Sequence, residues 1–133
     1  MADAPVPIFI SYAHADTPFV DRLEADLRQW GFAPWVDRRG LAGGQQWRRE
    51  LQEAVDRAQV VLVVLSPEGV SSKYVQNEYG YADEEGKLIL PLYYRLCKIP
   101  LELRGIQWID FQHNYEQGLQ ALLQVLEQRQ QPA

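Results

Sequence analysis

The chain is 133 residues long, 47 % apolar and 11 % aromatic, which makes one domain with ample core-forming side chains and excludes a disordered chain. Its net charge is −5 and no Lys/Arg face stands out, so duplex nucleic acid is excluded as the main partner. Cys97 is the single cysteine and His14 and His113 the two histidines, so no internal disulfide and no metal-ligand spacing is present.

Short apolar runs alternate with helix-period segments, the pattern of a parallel sheet covered on both faces. The first strand reads Pro7 to Tyr12. Asp16 or Thr17 is placed to cap a helix, with Pro18 suited to its first position, where a missing N–H costs nothing. Phe19, Leu23, Leu27 and Trp30 share one face of this helix, and Gly31 ends it. Phe32 to Val36 is a second strand. A long loop follows, from Asp37 to Gln46, with three glycines bracketed by Arg38, Arg39, Arg48 and Arg49. A loop of this length is usually functional, so it is expected to be mobile and to gate a pocket.

The second helix is expected from about Trp47 to Ala58, facing inward through Leu51, Val55 and Ala58. Val60 to Leu65 is nearly all β-branched or Leu, a central strand buried on both faces. Ser66-Pro67-Glu68-Gly69 breaks it, and Ser71 or Ser72 caps a third helix that Gly86 stops. Leu88 to Tyr94 is a fourth strand and Trp108 to Phe111 a short fifth, with room for one helical turn between them, at Pro100 to Gly105. The last helix carries Leu119, Leu122, Leu123 and Leu126 on one stripe. Trp30, Trp35 and Trp108 read as core or core edge. Residues 1–127 are expected to form the domain, and 128–133 a polar, Gln-rich tail leading to a further domain. Met1 to Pro7 has neither a basic nor an apolar leader region, and apolar runs stop at strand length. The expectation is a cytoplasmic protein without signal peptide or membrane span.

Five strands with right-handed crossovers assemble most simply as a flavodoxin-like, doubly wound five-stranded parallel sheet of order 2-1-3-4-5, with helices on both faces. The order reverses between strands one and three, so a ligand crevice is expected at their C-terminal ends. Its lining would come from Ser11 to His14, the Arg/Gly loop and Ser66 onward. The third helix starts there and carries Glu78 one turn beyond Tyr74. Neither G-x-x-x-x-G-K-[ST] nor G-x-G-x-x-G occurs between a strand and its helix. A phospho-receiver needs clustered acids at the ends of strands one and three, where Ser11-Tyr12 and Ser66 stand, and is disfavoured.

Four stretches together resemble TIR (Toll/interleukin-1 receptor) domains of the bacterial NAD-cleaving type. Phe9-Ile10-Ser11-Tyr12 followed by Asp16 looks like the family's first box. Leu27 to Phe32, then Trp35-Val36-Asp37 and the glycine loop, is similar to the stretch leading into its BB loop. Val61 to Pro67 matches its third strand and following turn. Ser72-Lys73-Tyr74-Val75-Gln76-Asn77-Glu78 fits S-x-W-x-x-x-E with Tyr in place of Trp. Ala13-His14 stand where some NAD-cleaving members carry arginine.

The resemblance implies NAD+ as substrate rather than cofactor, cleaved at the nicotinamide–ribose bond, with Glu78 as the catalytic carboxylate. It implies substrate contacts from Phe9, Ser11 and Tyr12 on the strand-one floor, from Tyr74, from Trp47 against a base, and from Arg38 and Arg39 on the pyrophosphate. Trp47 has a competing reading as core, four residues before Leu51 on the apolar stripe, and Arg38 and Arg39 read first as surface or partner contacts. The chemistry is consistent with one carboxylate. Nicotinamide leaves neutral and needs no proton, so the charge develops on an oxocarbenium-like ribose that a single carboxylate can stabilise. The expected context is the effector module of a bacterial immune or stress pathway, with homotypic TIR–TIR self-association and a fused sensor domain, and with linear or cyclic ADP-ribose as product. Two other readings stay open: a non-enzymatic TIR adaptor, and a nucleoside deoxyribosyltransferase-like enzyme.

Overall fold

A computed structural model of the chain describes residues 5–37 and 44–130. Five strands, β1 (Val6–Ser11), β2 (Phe32–Val36), β3 (Val60–Leu65), β4 (Leu88–Tyr93) and β5 (Ile109–Asp110), form one parallel sheet of order β2-β1-β3-β4-β5. This is the doubly wound order expected from the alternating pattern. Helices α1 (Thr17–Gln29) and α5 (Tyr115–Gln130) cover one face, while α2 (Gly44–Arg57) and α4 (Lys73–Glu84) cover the other. Two separate apolar clusters result, one on each face. β3 is buried at every position, as a central strand of such a sheet must be.

Local signals set the boundaries. Gly31 and Gly86 end α1 and α4 at φ 91° and 72°, a left-handed conformation that other residues reach only at a cost. Pro18 lies in the first turn of α1. The Ser72 hydroxyl accepts the Val75 N–H and caps α4.

Five expectations are corrected. The stretch after β3 is not a plain break: a short helix, α3 (Pro67–Ser71), forms there, because the Ser66 hydroxyl accepts the Gly69 N–H and Pro67 sits in the first turn. Asp16 precedes α1 without a side-chain cap bond and turns inward instead, within the 3-10 turn His14–Asp16. Trp30 is 59 % exposed, since it follows the last helical residue and the chain turns at Gly31 before its ring can reach the stripe of Phe19, Leu23 and Leu27. Trp108, at 46 % exposed, is likewise no core residue. The Gln-rich end is also helical as far as Gln130. Among the described residues no helix is long and apolar enough to cross a membrane.

Candidate functional site

Helices α2 and α4 lie side by side on one face of the sheet, and a cavity of about 330 Å³ opens between them. Helical spacing supplies both walls. Trp47, Leu51 and Val55 repeat every four residues along α2, with Arg48 and Gln52 beside them, while Tyr74, Asn77, Glu78 and Tyr81 do the same from α4. Val75, Glu78, Tyr79 and Ala82 form the buried stripe of α4. Glu78 therefore stands where a helix built only for packing would place an apolar residue, and it is 4 % exposed.

A buried carboxylate requires donors. Ser11, the last residue of β1 and fully buried, donates its hydroxyl proton to Glu78 Oε1 at 2.6 Å across 67 residues of sequence. The bond joins the end of β1 to the first half of α4. The strand ends meet the cavity through this contact. Trp47 donates its indole N–H to Asp37 Oδ1 at 3.3 Å, which ties the start of α2 to the end of β2 and fixes the ring in the cavity wall. The Tyr81 hydroxyl donates to Asp56 at 2.7 Å, and that bond pushes its pKa up to about 12, so the phenol stays neutral.

A second polar pair sits beyond the C-terminal end of β3. The Ser66 hydroxyl donates to Asp16 Oδ2, both residues being buried. Burial raises the Asp16 pKa and Glu68 adds to the rise, while the Ser66 bond and Arg95 act against it. The pair ties the turn after β1 to the end of β3. Among the described residues no group of three or more His, Cys, Asp and Glu is placed to hold a metal ion.

The expected site residues distribute unevenly. Glu78, Tyr74 and Trp47 come together on the cavity, with Ser11 beneath Glu78. Trp47 thus combines its two readings, wall of the cavity and neighbour of Leu51. Phe9 is fully buried and stacks on Trp35 at 5.2 Å, so it is core under the site rather than lining. Tyr12 points to the opposite face of the sheet, among Ile8, Ile10 and Phe19, because successive strand residues alternate. Arg38 and Arg39, with residues 38–43 of the loop expected to gate the pocket, lie outside the described residues, whereas Gly44 to Gln46, expected in that loop, form the start of α2. Gln52, Asn77 and Tyr81 line the cavity without having been singled out, and Arg48, noted only among the arginines bracketing the glycine loop, lines it too. Helical spacing from Tyr74 points to Asn77 and Tyr81, three and seven residues on, whereas Arg48 and Gln52 stand one residue past Trp47 and Leu51 and carry no such signal. The crevice also opens between the helices rather than over Ala13, His14 and Ser66, which do not line it.

A family model for the TIR domain matches residues 8–123. The chain is 28 % identical to protein y4cD of Sinorhizobium fredii (strain NBRC 101917 / NGR234), itself uncharacterized, over 96 % of this chain and 22 % of y4cD. It spans less than a third of the length of the curated relatives it matches. Among solved structures, the TIR domain of the Toll-related receptor TRR-2 from Hydra magnipapillata has a TM-score of 0.77 at 19 % identity, covering 93 % of this chain and 97 % of that one. The TIR domains of the activated Roq1 resistosome reach 0.70 at 18 %, covering 92 % and 98 %. A 2-deoxyribosyltransferase from Bacillus psychrosaccharolyticus shares the fold more loosely, at 0.58 and 14 %, covering 84 % and 94 %. With the family model spanning most of the sequence and the sheet order in agreement, this chain belongs to the TIR domain family.

Proposed function

We propose that this TIR domain cleaves NAD+ at the bond between nicotinamide and ribose, with Glu78 as the catalytic carboxylate. The observation that carries the reading is Glu78 itself. It is an almost fully buried carboxylate on a core stripe, held by Ser11 and opening onto a cavity of about 330 Å³. A group this costly to bury has no packing rationale, and such groups concentrate at functional sites.

The residues divide the work by chemistry. The C–N bond breaks with its electron pair leaving on the pyridine nitrogen, so nicotinamide departs neutral. The positive charge then sits on the ribose C1–O4 unit, where the Glu78 carboxylate stabilises it and accepts hydrogen bonds from the ribose hydroxyls. Water, or the adenine of the same molecule, completes the reaction. Ser11 occupies one carboxylate oxygen and fixes its direction. The Trp47 and Tyr74 rings offer flat apolar walls to a base or to nicotinamide, and Arg48 is a cation suited to a phosphate at the rim. Self-association belongs to the same reading, with copies brought together by a sensor domain as the trigger.

Purified protein incubated with NAD+ across a wide range of protein concentration tests this. Release of nicotinamide is expected, with specific activity rising as copies associate and a loss of at least about a hundredfold in Glu78→Gln. Cleavage of deoxynucleosides but not NAD+ would favour a deoxyribosyltransferase-type activity. No turnover of either by a folded, associated protein would leave an adaptor.

A further inference from the structure

The crossover from β4 to β5 is unusual for a sheet covered by helices. Between Tyr93 and Ile109 the only regular structure is the 3-10 turn Leu101–Leu103, too short to cover the strand it crosses. On the α4 side, the sheet beyond α4 is therefore left open over Pro91 and Tyr93, and a second cavity of about 390 Å³ lies there. It is at least as large as the one beside Glu78 and falls within the ~300–1,000 Å³ range of small-molecule sites.

Its walls are fixed by side-chain bonds rather than by regular structure. The Tyr93 hydroxyl donates to the Cys97 carbonyl at 2.8 Å and accepts the Cys97 N–H at 3.1 Å. The Tyr79 hydroxyl donates to Glu102 at 2.7 Å, and Arg104 Nε donates to the Ile99 carbonyl at 3.3 Å. The Tyr79 bond also lowers the Glu102 pKa, which keeps this anion engaged with α4. A loop secured at three points is a preformed wall.

The chemistry of the lining is selective. Leu65, Ile99 and Leu103 are apolar, and Trp108 leans on Tyr93 with ring centroids 4.6 Å apart while remaining 46 % exposed. Lys98 and Arg104 stand at the same cavity. Among the described residues neither forms an ion pair, and no Asp or Glu lines the space. Two cations without an ion-pair partner beside an exposed indole, in a chain of net charge −5, are complementary to a molecule that joins a flat ring to a phosphate. We infer that the cavity between the β4–β5 crossover and the sheet is a second binding site, for an anion of the nucleoside-monophosphate class, a flat base joined through ribose to a phosphate. The ring stacks on Trp108 and the phosphate meets Lys98 and Arg104. This site is separate from the Glu78 cavity and does not depend on NAD+ cleavage.

The test is a titration of the isotopically labelled chain with AMP, followed in every variant through the backbone amide resonances of Cys97, Ile99 and Leu103 at the cavity, and through the indole N–H where Trp108 is present, with adenosine and inorganic phosphate as separate arms. A saturable shift is expected with AMP, and at least about tenfold weaker binding of either fragment. Trp108→Ala should weaken AMP by at least about tenfold. Lys98→Glu, at an exposed position that leaves the fold intact, should weaken it too, while Trp47→Ala and Glu78→Gln leave it unchanged. The absence of a saturable shift would overturn the proposal. So would equal affinity for inorganic phosphate, because the indole would then contribute nothing, and so would loss of binding in Trp47→Ala but not in Trp108→Ala. If Lys98→Glu and Trp108→Ala instead lower the associated mass of the protein and AMP has no effect, the surface is a contact between copies and the ligand site is refuted.

Discussion

The two faces of the sheet are made from the same strands and do opposite things. On the α1/α5 side, Ile8 and Ile10 of β1 and Tyr12 just beyond it join Leu23, Leu27, Leu122 and Leu126 in an apolar layer. That layer is closed at one end by rings: Phe19 stacks on Tyr94 at 4.1 Å and meets Phe111 edge-on at 5.2 Å, and Arg22 lies 3.6 Å above Tyr115. On the α2/α4 side the alternate β1 residues are Phe9 and Ser11, and the second of these holds a buried glutamate. Both cavities discussed above open on this side. A shift of one residue along β1 separates pure packing from chemistry. The first face stabilises the domain, and its stability is what allows the second to carry a costly polar pair and unfilled space.

Two substitutions of large and comparable effect would break or sharpen that division. Leu122→Ala removes a fully buried side chain from the first face and is expected to cost about 2–5 kcal/mol of stability, measured by urea unfolding. NAD+ turnover per folded molecule should not change. Glu78→Gln on the second face should do the reverse, losing at least about a hundredfold in turnover, on the order of 3 kcal/mol in barrier. Its fold should be retained, because Gln keeps the shape and an oxygen that accepts the Ser11 hydroxyl. Equal loss of turnover per folded molecule in both variants would abolish the distinction.

A smaller effect is expected at the hinge between the faces. Ser11→Ala removes the donor to Glu78 Oε1 while leaving the fully buried strand end in place. Turnover should fall about tenfold with KM nearly constant, since a misdirected carboxylate fails in the transition state rather than in substrate binding. A rise in KM at constant kcat would mean that Ser11 contacts substrate instead.

How much of this was readable in the sequence depended on the range of the interaction. The strand order followed from periodicity and crossover handedness, because both are properties of short stretches. Glu78, Tyr74 and Trp47 were assigned by the family resemblance, with Glu78 also one turn beyond Tyr74 on the same helix, while the step from Trp47 to Leu51 gave Trp47 its competing core reading. What escaped was long-range. That Asp16 abandons its cap position for Ser66, 50 residues away, has no local signature, since the capping residues that suit a helix start also suit a buried pair. The same holds for the Ser11–Glu78 contact, which joins a strand to a helix that follows another strand. Tyr12 was misplaced for a simpler reason. The motif named neighbours as one floor, while a strand sends neighbours to opposite faces. Trp108 and the cavity beside it depended on a crossover too short to make a helix. The sequence limited that stretch to one turn without revealing which strand would be left uncovered.

The smallest effect concerns the other buried polar pair and asks whether burial of a carboxylate is by itself a sign of function. Asp16 is 2 % exposed, yet it does not line the Glu78 cavity or the one over β4, and its Oδ1 has no hydrogen-bond partner among the described residues. Burial raises its pKa, so the proton is bound more tightly in the fold than in the unfolded chain. The stabilising contribution of the protonated form is complete below the unfolded value near 3.8 and is lost as pH rises through the folded pKa. At neutral pH the ionised side chain therefore opposes folding. Asp16→Asn keeps an oxygen to accept the Ser66 hydroxyl and removes the charge. The variant should be more stable than the parent at pH 7, by no more than about 1 kcal/mol. The gap should close near pH 4 and below, where both side chains become neutral, and NAD+ turnover should be retained. Urea unfolding at the two pH values measures it. If Asp16→Asn is instead destabilised at pH 7 and matches the parent in acid, the charge is held favourably by Ser66 and Arg95, and Asp16 and Glu78 differ less than their surroundings suggest.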